Sequence, residues 1–126
     1  MIGKIVETEE DLNGWIGIDL DGTLANYEEG GSGNIPIGTI VPAMEAKVRE
    51  YLAQGIKCKL FTARCGFPDE IPKIEQWLAE HNLSELEITN IKDHGMKVLY
   101  DDRCAQVVVN TGMIIGSEKY IPGWNL

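Results

Sequence analysis

The chain has few basic residues, few cysteines and no long apolar segment. Its 126 residues include 11 lysines and arginines against 20 aspartates and glutamates, which gives a formal net charge of -9. A field of that sign repels polyanions, so the composition disfavours broad binding of nucleic acid. No apolar run approaches the roughly 20 residues of a membrane-spanning helix, and the acidic start of the chain lacks the features of a secretory signal. We therefore expect a cytoplasmic protein with no membrane partner.

The three cysteines predict neither a disulfide framework nor a cysteine zinc site. Cys58, Cys65 and Cys104 are odd in number and form no C-x-x-C pair. Cys58 and Arg64 have the C-x5-R spacing of cysteine-dependent phosphatases, but the residues between them contain no glycine and are typical of a strand. We expect three free thiols. A chain of this length can bury a core without disulfides or a structural metal, so we expect one domain over 1–126.

Apolar runs alternate with segments of helical periodicity along the chain. The sequence predicts strands over 15–18, 56–61, 86–89, 98–100 and 106–109, helices over 42–54 and 69–82, and one helical turn over 92–97. The glycine-rich segment 25–40 is predicted to be a flap or loop. Strands that alternate with helices are typical of right-handed βαβ units. We expect an α/β domain whose central, mainly parallel sheet is covered by helices on both faces.

Polar residues follow the predicted strands at the points where the strands end. They are, in chain order, Asp19 and Asp21, Thr62, Lys92, and Asp101 and Asp102. The carboxyl ends of parallel strands share one edge of a sheet, where ligands bind. Carboxylates that meet there raise each other's pKa unless a cation lies among them, and oxygen ligands without His or Cys suit Mg²⁺. Such a group could transfer phosphoryl: one carboxylate attacks phosphorus, another exchanges the proton, and a hydroxyl and an ammonium neutralise charge.

This ordered set resembles the four motifs of the haloacid dehalogenase superfamily of phosphatases, over nearly the whole chain. The specific part is D-x-D-G-T at 19–23, which arises by chance in roughly one chain of this length in a thousand. The segments 89–92 and 99–103 further resemble small phage and bacterial members of the superfamily. The resemblance implies a three-layer Rossmann-like fold without a separate cap domain, with the segment 25–40 in place of the cap.

The resemblance also implies a role for each aspartate. Asp19 is the expected nucleophile, which forms an aspartyl-phosphate and contacts Mg²⁺. Asp21 is the expected general acid and base, and its backbone carbonyl is an expected Mg²⁺ ligand. Asp101 is expected to ligate Mg²⁺. Asp102 is expected either to be a second ligand or to contact a ligand without touching the ion.

The expected substrate-binding residues are Thr62, Ala63, Arg64 and Lys92. By the same resemblance, Thr62 is expected to hydrogen-bond the phosphoryl group, and Lys92 to stabilise both that group and the nucleophile. Lys97 is a rival for the lysine role. Lys92 is favoured because it follows the end of a predicted strand, whereas Lys97 directly abuts the start of the next one.

The sequence therefore predicts a Mg²⁺-dependent phosphohydrolase that acts on a small phosphorylated metabolite or nucleotide. One alternative is a phosphoacceptor signalling domain, which also uses acidic residues, a threonine and a lysine. Such receiver domains place their acidic pair after the first strand and the acceptor aspartate after the third, unlike this chain. A second alternative is a protein of the same fold that binds phosphate without turnover. The exact substrate, transfer to an acceptor other than water, and assembly into a homo-oligomer stay open.

Overall fold

The computed structural model describes residues 13–27, 35–116 and 123. In chain order, its elements are β1 (Trp15–Ile18), α1 (Pro42–Ala53), β2 (Cys58–Phe61), α2 (Ile71–Glu80), β3 (Glu87–Thr89), β4 (Met96–Tyr100), β5 (Gln106–Val107) and β6 (Ile114–Ile115). Two short 3₁₀ turns, Ala63–Gly66 and Pro68–Glu70, lie between β2 and α2. The predicted strands at 15–18, 56–61, 86–89 and 98–100 and both predicted helices are confirmed, with shifted ends.

Four of the strands form one all-parallel sheet in the order β3-β2-β1-β4. The central strand β1 aligns Ile16 with Cys58 of β2 on one side and with Val98 of β4 on the other. The two crossovers that contain α1 and α2 step across the sheet in the same direction, so right-handed connections carry both helices over the same face. The protein is thus an α/β structure with a central parallel sheet flanked by helices.

The core lies between this face of the sheet and the two helices. Its buried members include Ile16, Ile18, Cys58 and Leu60 from the sheet, Val48 from α1, and Ile74, Trp77 and Leu78 from α2. The α2 residues recur at the spacing that places side chains on one helical face. After α2, Asn82 adopts a positive φ of 55°, as expected of a residue that ends a helix. No helix in the described ranges is long and apolar enough to cross a membrane.

The opposite face of the sheet carries a buried lysine. The Lys59 side chain is only 5% exposed, and its Nζ lies 3.5 Å from Glu87 Oε2 and 4.0 Å from Asp93 Oδ2. The same ammonium lies 4.5 Å from the ring centroid of Trp15, within the range of a cation–π interaction. A buried charge requires partners, and these three groups supply them.

The predicted helical turn over 92–97 is wrong, because polar contacts of Asp93 hold this crossover in an irregular path. Asp93 Oδ1 accepts hydrogen bonds from Trp15 Nε1 and from the backbone N–H of Gly95, both at 2.8 Å. A carboxylate that caps the backbone two residues ahead forms a turn in place of a helix. The chain then enters β4 at Met96.

Two expectations about the layers and the sheet are not met in the described residues. The crossover between β3 and β4 contains no helix over 90–95, so the helices described here cover one face only. The segment predicted as a strand over 106–109 forms β5, which pairs antiparallel with β6 outside the parallel sheet. Asn110 and Gly112 have φ values of 64° and 72°, which permit the tight reversal between them.

The segment 25–40 is closed at its base. The backbone N–H of Asn26 donates to the Thr39 carbonyl at 2.8 Å, and the Asn26 side chain also donates to the Thr39 hydroxyl. Gly38 lies against the Asn26 carbonyl so closely that a Cβ would fall 2.0 Å from its oxygen. The predicted flap itself includes residues 28–34, which lie outside the described residues.

Candidate functional site

Three aspartates meet beyond the carboxyl ends of β1 and β4. Asp19 follows β1, Asp101 and Asp102 follow β4, and the Asp19 N–H donates to the Tyr100 carbonyl at 2.9 Å. One carboxylate oxygen from each of the three lies within 4.8 Å of the others. Opposite oxygen ligands of one Mg²⁺ or Ca²⁺ ion are about 4–5 Å apart, twice the metal–oxygen distance. The three aspartates could therefore hold one divalent cation.

The electrostatics of this cluster also fit a cation. The pKa of Asp19 is raised to about 7, mainly by burial and then by the charges of Asp101 and Asp102 and a hydrogen bond to Asp102. The Leu20 backbone opposes this shift. Because a positive ion would favour the ionised carboxylates, it would relieve the repulsion that now favours a proton on Asp19.

Thr23 links two of these aspartates. Its hydroxyl oxygen lies 3.4 Å from Asp19 Oδ2 and 3.2 Å from Asp102 Oδ1, and it accepts a hydrogen bond of 3.2 Å from the Asp102 backbone N–H. A hydroxyl has one proton, so it donates to one carboxylate at a time. Sequence reasoning gave Thr23 no role in the site, although its place four residues after Asp19 in a tight turn was a usable signal.

Gly22 makes room for the Asp102 carboxylate. Its φ of +89° is in the region that favours glycine, and a Cβ there would fall 2.6–2.8 Å from the three carboxylate atoms of Asp102. A side chain at position 22 would therefore displace Asp102.

Asp21 is not among the three clustered aspartates, because its carboxylate pairs with Arg64. Arg64 Nε donates to Asp21 Oδ2 at 2.7 Å and Nη2 donates to Oδ1 at 2.8 Å. This hydrogen bond is the main cause that raises the pKa of the Arg64 guanidinium. Ligation of a cation by the Asp21 backbone carbonyl stays a prediction.

Thr62 lies at the end of β2, beside the end of the central strand. It is 2% exposed, and its hydroxyl accepts a hydrogen bond of 3.2 Å from the Arg64 backbone N–H. An accepting hydroxyl still has a proton to donate, so Thr62 could bind a phosphoryl oxygen. Ala63 follows it as the exposed first residue of a 3₁₀ turn.

The two candidate lysines lie in different parts of the structure. Lys97 lies at the amino end of the sheet, where a Cβ on Gly14 would fall 3.0 Å from Lys97 Cε. This is the end opposite to the clustered aspartates. Lys92 is exposed on the crossover after β3, and no hydrogen bond or ion pair joins it to those aspartates in the described part of the chain. Its role at the phosphoryl group stays a prediction.

A cavity of about 450 Å³ opens beside the aspartates. It is lined by Gly22, Thr23, Asp101 and Asp102, by Val41, Ala43, Met44 and Lys47 near the start of α1, and by Tyr100. This volume is within the range of small-molecule sites. The cavity combines an apolar wall with one ammonium group, that of Lys47, which sequence reasoning did not identify because nothing local to α1 distinguishes it from a solvated lysine.

The cysteine-dependent alternative has no support in the structure. Cys58, Cys65 and Cys104 are free thiols, as predicted. Burial, with a smaller effect of Glu85, raises the pKa of Cys58 to about 11, so the nucleophilic thiolate does not form near neutral pH.

Comparison of the chain with known protein families, with curated proteins and with solved structures finds no match. A function for the chain is therefore inferred from its residues and their geometry.

Replacement of Gly22 should weaken both cation binding and the fold, whereas replacement of Gly55 should weaken only the fold. Gly22→Ala and Gly55→Ala both put a Cβ on a residue of positive φ, but the Cβ at Gly55 meets nothing within 4 Å. We expect each variant to lose roughly 1–2 kcal/mol in urea unfolding with chelator present. Only Gly22→Ala should also lose about tenfold or more in Mg²⁺ affinity by calorimetric titration. Equal Mg²⁺ affinities in the two variants would contradict the role given to Gly22.

The cation-free protein should become less stable as pH rises from about 4 to above 7. The folded-state pKa of Asp19, about 7, is above its unfolded value, so the folded protein holds a proton over this range that the unfolded chain has lost. The stabilisation is complete below pH 4 and is lost as pH rises through 7, on the order of 1–2 kcal/mol once solvent screening is allowed for.

Urea unfolding in chelator at pH 5 and pH 8 measures this difference. Asp19→Asn removes the titrating group and should show a smaller decrease, and added Mg²⁺ should stabilise the wild-type protein at pH 8. The same pH dependence in both proteins would assign it to other groups.

Proposed function

We propose that the protein is a Mg²⁺-dependent phosphohydrolase that cleaves small phosphate monoesters through an aspartyl-phosphate. The observation that carries the proposal is the meeting of Asp19, Asp101 and Asp102 at the carboxyl edge of a parallel sheet, within 4.8 Å of one another. The finer proposal is a Rossmann-like fold of the haloacid dehalogenase type. The strand order, with β1 and its aspartate at the centre, supports it.

The three aspartates would hold the cation by one oxygen each. When bound, it would offset their charge and draw electron density from the phosphoryl oxygens. A small octahedral ion with few protein carboxylates leaves positions for water and for a phosphate, which favours Mg²⁺ over Ca²⁺. No histidine or cysteine lies among the ligand atoms of this group.

In the proposed reaction, a carboxylate oxygen of Asp19 forms a bond to phosphorus as the bond between phosphorus and the leaving oxygen breaks. Asp21 gives the leaving oxygen its proton. Water then attacks phosphorus, Asp21 takes the water's proton, and the bond between Asp19 and phosphorus breaks to release phosphate. Thr62 and Lys92 would stabilise the charge on the phosphoryl oxygens.

The proposed substrate is a small phosphorylated metabolite or nucleotide. The cavity of about 450 Å³ beside Asp101 has room for such a leaving group. A net charge of -9 disfavours the binding of long polyanions, whereas a single phosphate beside a bound cation is repelled only weakly.

Phosphate release is the direct test of the proposal. We expect release from members of a panel of sugar phosphates, nucleotides and an aryl phosphate in Mg²⁺, and none in chelator. Asp19→Asn should abolish release and keep the thermal unfolding transition, because the amide cannot attack but fills the same space. Release by Asp19→Asn at the wild-type rate would refute the nucleophile assignment. A stable phosphoprotein without phosphate release would favour the phosphoacceptor alternative.

Two lysine variants test the phosphoryl-binding role. Lys92→Ala should slow phosphate release by roughly 10²–10³-fold, the effect of losing one donor to the transition state. Lys97→Ala is the matched control, because Lys97 lies against Gly14 at the other end of the sheet, and it should keep the wild-type rate. The opposite pattern of rates would transfer the role to Lys97.

A further inference from the structure

We propose that Arg64 is a positioning residue for Asp21, in place of the substrate-binding role that its sequence position predicts. The inference rests on the proposed function, in which Asp21 moves the proton. It rests structurally on which groups the guanidinium contacts, how deeply these contacts are buried, and what they leave free on Asp21.

The guanidinium of Arg64 is largely occupied by protein acceptors. Nε and Nη2 bind the two carboxylate oxygens of Asp21. Nη1 donates to the Ile35 carbonyl at 2.7 Å and to Glu70 Oε1 at 3.1 Å. Four of the five guanidinium hydrogens are thus in use. Because two parallel donors are needed to grip a phosphoryl group, Arg64 would have to release at least one of these acceptors to do so.

Contacts other than those with Asp21 also hold Arg64 in place. Its side chain is 12% exposed, and the Glu70 side chain that accepts from it is 9% exposed. Lys73 Nζ lies 2.8 Å from the other oxygen of Glu70, which fixes that carboxylate in turn. The Arg64 backbone N–H is bound by the Thr62 hydroxyl. A guanidinium fixed at both ends gives its partner a fixed orientation, since its fork matches a carboxylate in one geometry.

This grip orients Asp21 without blocking it. A carboxylate has about four acceptor positions on its two oxygens, and Arg64 uses two of them. The other two stay available to the proton that passes between Asp21 and the leaving oxygen or water. Proton transfer requires a group within hydrogen-bond reach and in the correct direction, so loss of orientation should lower the rate of chemistry and leave substrate affinity unchanged.

A double-mutant cycle separates the two roles. Arg64→Ala should lower kcat for an alkyl phosphate by about 10- to 100-fold with KM changed less than about twofold. The loss should be smaller for an aryl phosphate whose leaving group needs no proton. In an Asp21→Asn background, measured on that aryl phosphate, Arg64→Ala should have no further effect, because its action passes through Asp21.

Binding of the phosphoryl group by Arg64 would give the opposite results. KM and the inhibition constant of inorganic phosphate would rise, and the effects of the two substitutions would multiply. Those results would overturn the positioning role. The proposed function would still stand if the wild-type protein released phosphate. Absence of release by the wild-type protein from the whole panel would overturn both.

Two further variants control for changes in folding. Arg64→Lys keeps the charge but not the fork, so it should fold even where Arg64→Ala does not, and it should restore little of the lost kcat. Arg49→Ala removes a cation from an exposed ion pair with Glu45 on α1, away from Arg64 and Asp21, and should leave kcat near the wild-type value. Full recovery of kcat in Arg64→Lys would show that charge alone matters and would overturn the proposal.

Discussion

Like charges forced together at one edge of the sheet are the constraint on which the rest of the site depends. The pairing of Ile18 with Tyr100 fixes the ends of β1 and β4 side by side, so Asp19 and Asp101 have to share the space beyond them. Sheet hydrogen bonds and core packing hold this arrangement against the repulsion. The pKa of Asp19, raised by burial and by its acidic neighbours, records the cost. A proton or a cation relieves it, and only a cation does so with all three carboxylates ionised.

The turn after β1 separates two carboxylates that lie two residues apart in the chain. Asp19 faces other carboxylates, whereas Asp21 faces the guanidinium of Arg64. The turn can do this because Gly22 adopts a conformation that a side chain would strain, and because Thr23 returns a hydroxyl to the aspartate cluster. The proposed roles also require different surroundings: a cation among the three aspartates would favour the ionised form that a nucleophile needs, and Asp21 lies apart from that cation's carboxylates.

Local sequence patterns predicted most of the helices and strands and the residues at the strand ends. They did not predict polar contacts between residues far apart in the chain. The apolar run at 15–18 and the periodicity of α1 specify a strand and a helix by themselves, and a parallel sheet then brings Asp19 and Asp101 together. The partner of Arg64 lies 43 residues away, and nothing in the sequence around it distinguishes Asp21 from a phosphate as that partner. The β5–β6 hairpin was not predicted, because an apolar run indicates a strand but does not indicate which other strand it pairs with.

Polar contacts on the face of the sheet opposite the helices fix the path of the crossover between β3 and β4, which contains Lys92. Six residues carry the chain from one edge of the sheet to the other, and Asp93 and Gly95 are among those that contact the sheet. Asp93 is held by the Trp15 indole and by the buried ammonium of Lys59, and Lys92 immediately precedes it. Apolar residues of similar size could fill this face at lower desolvation cost. They would not hold the backbone of Asp93, so the path of the crossover, and with it the position of Lys92, depends on these polar contacts.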